Sequence, residues 1–264
     1  MPDALPPLSL PAARVGDARR DTRKEREAFA RVRNAEVKFT VQLRSVAKHI
    51  GDLVKGMASG SPHDLDTLTR LLDRYSVILR PWARAISASL LADVSRRDEK
   101  AWAQYARFMG LELRKELAET PTGEIMRQLL DEQVDLITSL PLEAAKRVQA
   151  IATGQLYSGQ RAEVLAKQIM LSGEVAKSRA DTIARTETTR AATTLTQARA
   201  KQIGSEGYIW RTAHDWNVRP LHKKLEGTFH RWDAPPIAGS NGERAHPGAI
   251  YNCRCYPEPV IPNA

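Results

Sequence analysis

Cysteine is nearly missing from this chain: two among 264 residues, Cys253 and Cys255, separated by a single arginine. Two thiols so placed cannot supply the disulfide framework of a small secreted domain. No run of about 18 apolar residues occurs, so no membrane-spanning helix is expected. The opening stretch, Met1 to Arg20, has no apolar signal-peptide core; it is proline-rich and reads as an extended arm. Aromatic residues are only 6% against 27% charged, a balance that suits helices with broad solvated faces. Acidic residues are in deficit, 31 against 40 basic, for a net charge of +9. Such an excess attracts polyanions, and equally describes a soluble helical protein with a mildly basic surface. Together these features fit a protein made in a bacterial cytoplasm.

What is present is helical periodicity. From about Asp21, the residues Phe29, Val32, Glu36, Phe39, Leu43, Val46, Ile50, Leu53 and Met57 recur at alternating spacings of three and four. That seam belongs to a long helix packed along a partner, and the nearest partner is the leucine-rich segment that follows, giving an antiparallel hairpin. Glu36 is its one polar intruder. Gly60-Ser61-Pro62 ends the element, with Ser61 placed as N-cap, Pro62 at the first helical position and Asp64 at the third. A second helix carries Leu65, Leu68, Leu72, Tyr75 and Leu79, and Pro81 is expected to kink or break it. Trp82, Ile86, Leu90, Val94, Trp102, Tyr105 and Met109 then resume the stripe. Aromatics at helical spacing belong to core or to a partner-facing surface more often than to a base-stacking platform. Breaks are expected at Thr120-Pro121-Thr122-Gly123, Ser139-Leu140-Pro141, Tyr157-Ser158-Gly159 and Leu171-Ser172-Gly173. The last helix of the series places Glu187 on the face of Ile183, Ala191 and Leu195. An inward carboxylate is costly unless paired; the alternative is a surface pair with Arg190.

After Gly204 the pattern changes. Tyr208 to Thr212 alternates as a strand. Asp215 or Asn217 can cap a short helix through Leu225, with Pro220 in its first turn, and Gly227 stops it. Thr228 to His230 reads as a second strand, Ala234 to Gly248 as a long loop, and Asn252 to Tyr256 as a third strand. The expected fold is mainly α, a long helical N-terminal region with a small C-terminal α+β module. Its parts are a flexible arm (1–20), a helical hairpin or bundle suited to docking (21–140), and a C-terminal module (141–264) with helices over 142–203 and the α+β part over 204–260.

The ordered set Trp210, Asp215, Arg219 with His222 three residues on, Leu225-Glu226-Gly227, Pro247-Gly248 and Cys253-Arg254-Cys255, together with Ala184-Arg185-Thr186-Glu187 upstream, resembles the phage Mu F-like minor head proteins. This is the head morphogenesis family of tailed phages. The resemblance covers roughly residues 140 to 260. It implies a low-copy structural component inside the virion, associated with the portal vertex, whose partners are the portal protein, other head proteins and the packaged double-stranded DNA. The rival reading is a virion-carried metal-dependent nuclease or effector enzyme.

Several residues could carry chemistry. His222, Cys253, Cys255 and Asp215, with His230 and His246 in reserve, are enough ligand types for a tetrahedral zinc. The spacing is not the Cys-x-x-Cys of ribbons, fingers or zinc deaminases, and the expectation is reduced cysteines that pack the module with no bound cofactor. A Cys253–Cys255 disulfide is poor geometry, since extended residues two apart span about 6.6 Å. A cysteine with His222 and Asp215 has the residue types of a thiol triad; His214, Asp215 and His222 have those of a nuclease centre without paired carboxylates. Arg219 and Arg254 are suited to neutralising Asp215 or Glu187. From Arg185 to Arg231 nine basic residues face four acidic ones. Arg211, Lys223, Lys224 and Arg231 are the candidates for non-specific phosphate contact, a solvated face being the alternative. Finally, Glu187, Arg219, His222, Cys253 and Cys255 are expected to converge into one buried polar cluster.

Overall fold

Among the described residues, four long helices, each with one apolar face, set the architecture. The structure is a computed structural model describing residues 32–57, 61–109, 119–158 and 162–261; the N-terminal arm and Phe29 of the seam lie outside the described residues. The helices are α1 (Arg33–Gly56), α2 (Pro62–Met109), α3 (Thr122–Ser158) and α4 (Ala162–Gln202). α1 buries Phe39, Leu43, Val46, Ile50 and Val54 on its seam and turns Val37 and Val41 outward. Ser61 accepts a 3.1 Å hydrogen bond from the amide of Asp64, the N-cap expected of it, and Pro62 opens α2.

Ionic pairs fix the helix directions. Glu36 and Arg44 of α1 meet Arg185 and Asp181 of α4. Arg80 and Arg84 of α2 meet Asp135 and Asp131 of α3. Glu132 and Glu143 of α3 meet Arg190 and Arg179 of α4. Each neighbouring pair is therefore antiparallel, and the four form an up-down-up-down bundle around one core. The principal partner of α1 is α4 rather than the following helix. The reason lies in the polar rails: the Glu36 that interrupts the seam is the acceptor for Arg185 Nε at 3.1 Å. The division expected at residue 141 falls inside α3, and helices on both sides of it share the same core.

Three expected breaks are absent. α2 runs through Pro81, an exposed residue, and the carbonyl it leaves without a donor belongs to Val77, whose side chain is 74% exposed. Water can serve that carbonyl, so the usual penalty is reduced. α3 continues through Pro141 because both flanks, Ile137, Leu140, Ala144 and Ala145, are buried; tertiary packing outweighs local propensity. α4 continues through Leu171-Ser172-Gly173, where a Cβ on Gly173 would lie 3.1 Å from the Cα of Gly51 on α1.

Gly204, at φ 80°, releases the chain from α4. A three-stranded antiparallel sheet follows, β1 (Gly207–Arg211), β2 (Phe229–Arg231) and β3 (Tyr256–Val260), in the order β2-β1-β3, with the short helix α5 (Pro220–Leu225) between β1 and β2. The first two strands lie one residue from where the pattern places them. The third begins only at Tyr256, not Asn252. Pro257 and Pro259 oppose Trp210 and Tyr208 in register, and strand prolines are tolerated because β3 is an edge. Trp102 and Tyr105 at the end of α2 join Ala200 of α4, Tyr208, Trp210 and Trp232 in a second core that seats the sheet on the bundle. The fold is thus mainly helical with a small C-terminal α+β module.

Candidate functional site

The residue before a proline is pushed into extended backbone. Arg219, at φ −59° and ψ 146°, accordingly serves as the N-cap of α5 with Pro220 at its first position. Asp215 does not cap this helix; its Oδ1 accepts the amide of Asn217 at 3.0 Å in the preceding turn. α5 carries His222 into the core at 1% exposure, against the edge of Trp210 with ring centroids 5.3 Å apart. His222 Nε2 lies 3.0 Å from the carbonyl of Ala238, which can only accept, so Nε2 carries a proton. Nδ1 faces Cys253 Sγ at 3.6 Å and Cys255 Sγ at 3.5 Å.

The two cysteines reach this point from a turn, not from a strand. Asn252 adopts φ 58°, and the amide of Cys253 donates to Ile250 at 3.0 Å. The amide of Cys255 donates to Cys253 Sγ at 3.4 Å. A row of hydroxyls on α4 grips the turn. Thr189 Oγ1 lies 3.0 Å from the Gly248 carbonyl and 3.1 Å from that of Cys253, and Thr193 donates to Pro247 at 2.6 Å. Thr186 Oγ1 accepts the amide of Asn252 at 2.9 Å, and Arg185 donates to the Asn252 side chain at 2.5 Å. Gly248 must be glycine: it has φ 80°, and a Cβ there would sit 2.9 Å from Thr193 Oγ1 and from the Cys255 carbonyl. The sequence signal for this grip is a run of threonines at helical spacing, Thr186, Thr189 and Thr193, on a helix that such residues do not favour by propensity.

Charge in the cluster is shared unevenly. The hydrogen bond from Cys255, then the proximity of His222, draws the Cys253 thiol down to about 4 against the opposing effect of burial. Cys255 is pushed up by its bond to Cys253 and by burial. His222 is held above its ordinary value, chiefly by Cys253 and in spite of burial. Both cysteines are free and buried.

Above the cluster lies a cleft of about 300 Å³, lined by His222, Cys253 and Cys255 together with Arg185, Arg219, Arg254 and Asp215. Arg254 pairs with Asp215 at 2.7 Å, as its residue type suggested, while Arg219 donates instead to the carbonyl of Tyr251 at 2.8 Å. A thiol triad is not assembled: the second nitrogen of His222 is bound to Ala238, and Asp215 belongs to Arg254. His214 is exposed beside Glu226, His230 contacts Thr228, and His246 bonds to Tyr208, so none of the three joins His222. No nuclease centre forms around His214, Asp215 and His222.

The convergence expected of five residues holds for His222, Cys253 and Cys255, with Arg219 at the cleft wall. Glu187 is inward as anticipated, at 3% exposure, but its ionic partner is Arg190 at 3.9 Å, which also pairs with Glu132 on α3, and it is not grouped with His222 and the thiols. Burial makes it a weaker acid, holding its pKa above the ordinary carboxylate value; Arg190 opposes this shift and Glu132 reinforces it. Gly227 ends α5 at φ 76°, and its amide donates to Trp210 at 2.9 Å.

The four basic candidates divide. Arg211 is largely buried and committed to Glu258 and Glu226, so it is not available to a phosphate. Arg231 is exposed but held by Asp233 and Glu206. Lys223 and Lys224 are exposed on α5. Among the described residues no helix is long and apolar enough to cross a membrane.

Residues 146–257 match the family model described as Phage Mu protein F like protein. An uncharacterized protein of Haemophilus influenzae is 30% identical over 155 residues, 58% of this chain and 34% of that relative, so the chain spans about a third of the relative's length. No solved structure matches. The matched span supplies α4, the threonine grip and all three members of the buried cluster, so over residues 146–257 the chain is similar to the Phage Mu protein F like proteins.

Proposed function

We propose that this protein is a minor head component of a tailed phage, docked at the portal vertex inside the virion, where it acts in head assembly and contacts packaged DNA without sequence preference. The observation that carries this reading is the family match over 146–257, a span that supplies α4 and the α+β module up to the start of β3. The role is structural, without turnover: the groups that would relay a proton are each committed to a fixed partner.

The outer faces of the bundle support docking. Val37 and Val41 on α1, and Val77 and Ile78 on α2, are more than half exposed, and apolar side chains in solvent favour burial against a partner. Contact with DNA rests on the net charge of +9 and on Lys223 and Lys224. Phosphate contacts of this kind bring affinity without sequence information.

Co-expression with the portal protein of the same phage tests the reading. The full chain should co-elute with portal rings in size-exclusion chromatography, and replacing Val77 and Ile78 by Asp should weaken the association. A chain that elutes apart from intact rings at every concentration contradicts portal docking.

A further inference from the structure

We propose that His222, Cys253 and Cys255 bind a zinc ion through Nδ1 and the two Sγ atoms, with the fourth coordination position opening into the arginine-lined cleft. All three side chains are buried, and their ligand atoms lie within 4.8 Å of one another.

The distances fit an ion at the centre. Tetrahedral zinc with Zn–S near 2.3 Å and Zn–N near 2.05 Å places sulfur and nitrogen about 3.55 Å apart. His222 Nδ1 stands 3.6 Å from one sulfur and 3.5 Å from the other. An S–H···N hydrogen bond accounts for one sulfur at that range. The ring's one lone pair accepts one hydrogen, so the second sulfur would be left to the hydrogen bond between the two thiols. A cation between the three atoms satisfies both contacts at once.

The surroundings agree. A metal-bound imidazole donates its other N–H to a carbonyl or carboxylate, which fixes the tautomer; His222 Nε2 donates to Ala238 at 3.0 Å. A ligating thiolate is stabilised by amide donors, and the amide of Cys255 reaches Cys253 Sγ at 3.4 Å. Two thiols and an imidazole are soft to borderline donors, a set that selects zinc over magnesium or calcium. The matching three-ligand pattern, two sulfurs and one nitrogen with an open position, is an established zinc arrangement. Asp215 lines the same cleft but is held by Arg254, which leaves the fourth position to water.

The site would tie α5 to the turn before β3, joining residues 31 and 33 positions apart in sequence. Zinc here acts as a fastener for the module, and this inference does not depend on the head assignment.

Elemental analysis provides the test. The untagged full chain, expressed with zinc supplied and purified without chelator, should contain about one zinc per chain. Reduced apoprotein reconstituted with Co²⁺ should show thiolate-to-metal charge transfer and the intense visible bands of a tetrahedral site. Chelator should lower the melting temperature and expose both thiols to a disulfide reagent, and Zn²⁺ should reverse both effects. His222→Asn, Cys253→Ser and Cys255→Ser should each lose the metal. If a variant fails to fold, the cobalt spectrum and the thiol protection of the wild-type chain still decide. A native protein with negligible zinc, no cobalt spectrum and thiols equally reactive with and without Zn²⁺ overturns the proposal, as does metal retained by folded cysteine variants.

Discussion

Gly51 of α1 and Gly173 of α4 meet backbone to backbone: a Cβ built on Gly173 would lie 3.1 Å from the Gly51 Cα, whereas one built on Gly51 meets nothing within 4 Å. The two glycines look alike in the sequence and are opposite in the structure. Gly51→Ala should stabilise by up to about 1 kcal/mol through helix propensity alone. Gly173→Ala should destabilise, because neither helix backbone can yield easily, and Gly173→Val should cost about 1–3 kcal/mol by overpacking. Urea midpoints of the three variants check this; equal shifts for Gly51→Ala and Gly173→Ala contradict the crossing.

Asp98 gives the bundle a pH dependence. It sits with Arg199 Nε at 2.8 Å and the Thr196 hydroxyl at 2.6 Å, and burial, only partly offset by Thr196 and Arg199, raises it from 3.8 to about 6. A carboxyl raised in the folded state favours folding when protonated. Its stabilising effect is full below pH 4 and is lost as pH rises through 6. Asp98→Asn should flatten the stability curve between pH 4 and 6 relative to wild type, a difference on the order of 3 kcal/mol across the window. Asp98→Ala should instead destabilise at every pH, because it strands a buried guanidinium.

Lys223 and Lys224 should carry what DNA affinity the module has. Replacing both with Ala should lower affinity for any duplex alike and reduce the slope of log K against log salt by about 1–2. Arg211→Ala should leave that slope unchanged and lower stability, since Glu226 and Glu258 would lose their partner. Fluorescence anisotropy over a salt series, beside thermal melts, separates the two effects.

Thr189 and Thr193 anchor the cysteine turn to α4. Thr193→Val keeps the shape and removes the donor to the Pro247 carbonyl, which should cost about 1–3 kcal/mol. The same variant should speed the reaction of Cys253 and Cys255 with a thiol reagent under native conditions. Unchanged thiol reactivity contradicts the grip.

The helical character of the chain up to Gln202 was legible in the sequence, as were the N-cap at Ser61, the Trp210 strand and the stop at Gly227. Helix continuity through Pro81, Pro141 and Gly173 was not, because each is decided by what lies beside it, solvent at Val77, buried flanks, or a second glycine. The partner of α1 was hidden for a related reason: Glu36 reads as a flaw in a seam until Arg185, 149 residues away, is placed beside it. At the site, the residue types were visible and the grouping was half visible. His222, Cys253 and Cys255 converge, but through a left-handed turn at Asn252 that alternation along a strand does not describe. Glu187 shows the limit of face reasoning, which says that a side chain is inward and not which neighbour it meets.

Membership of a phage head, as proposed, is best tested by quantitative mass spectrometry of gradient-purified phage particles released from cells that encode this chain. Peptides of this chain should co-sediment with intact heads at a copy number far below that of the major capsid protein. Particles that contain the portal and capsid proteins but none of this chain, from cells that express it, would rule out a place in the head.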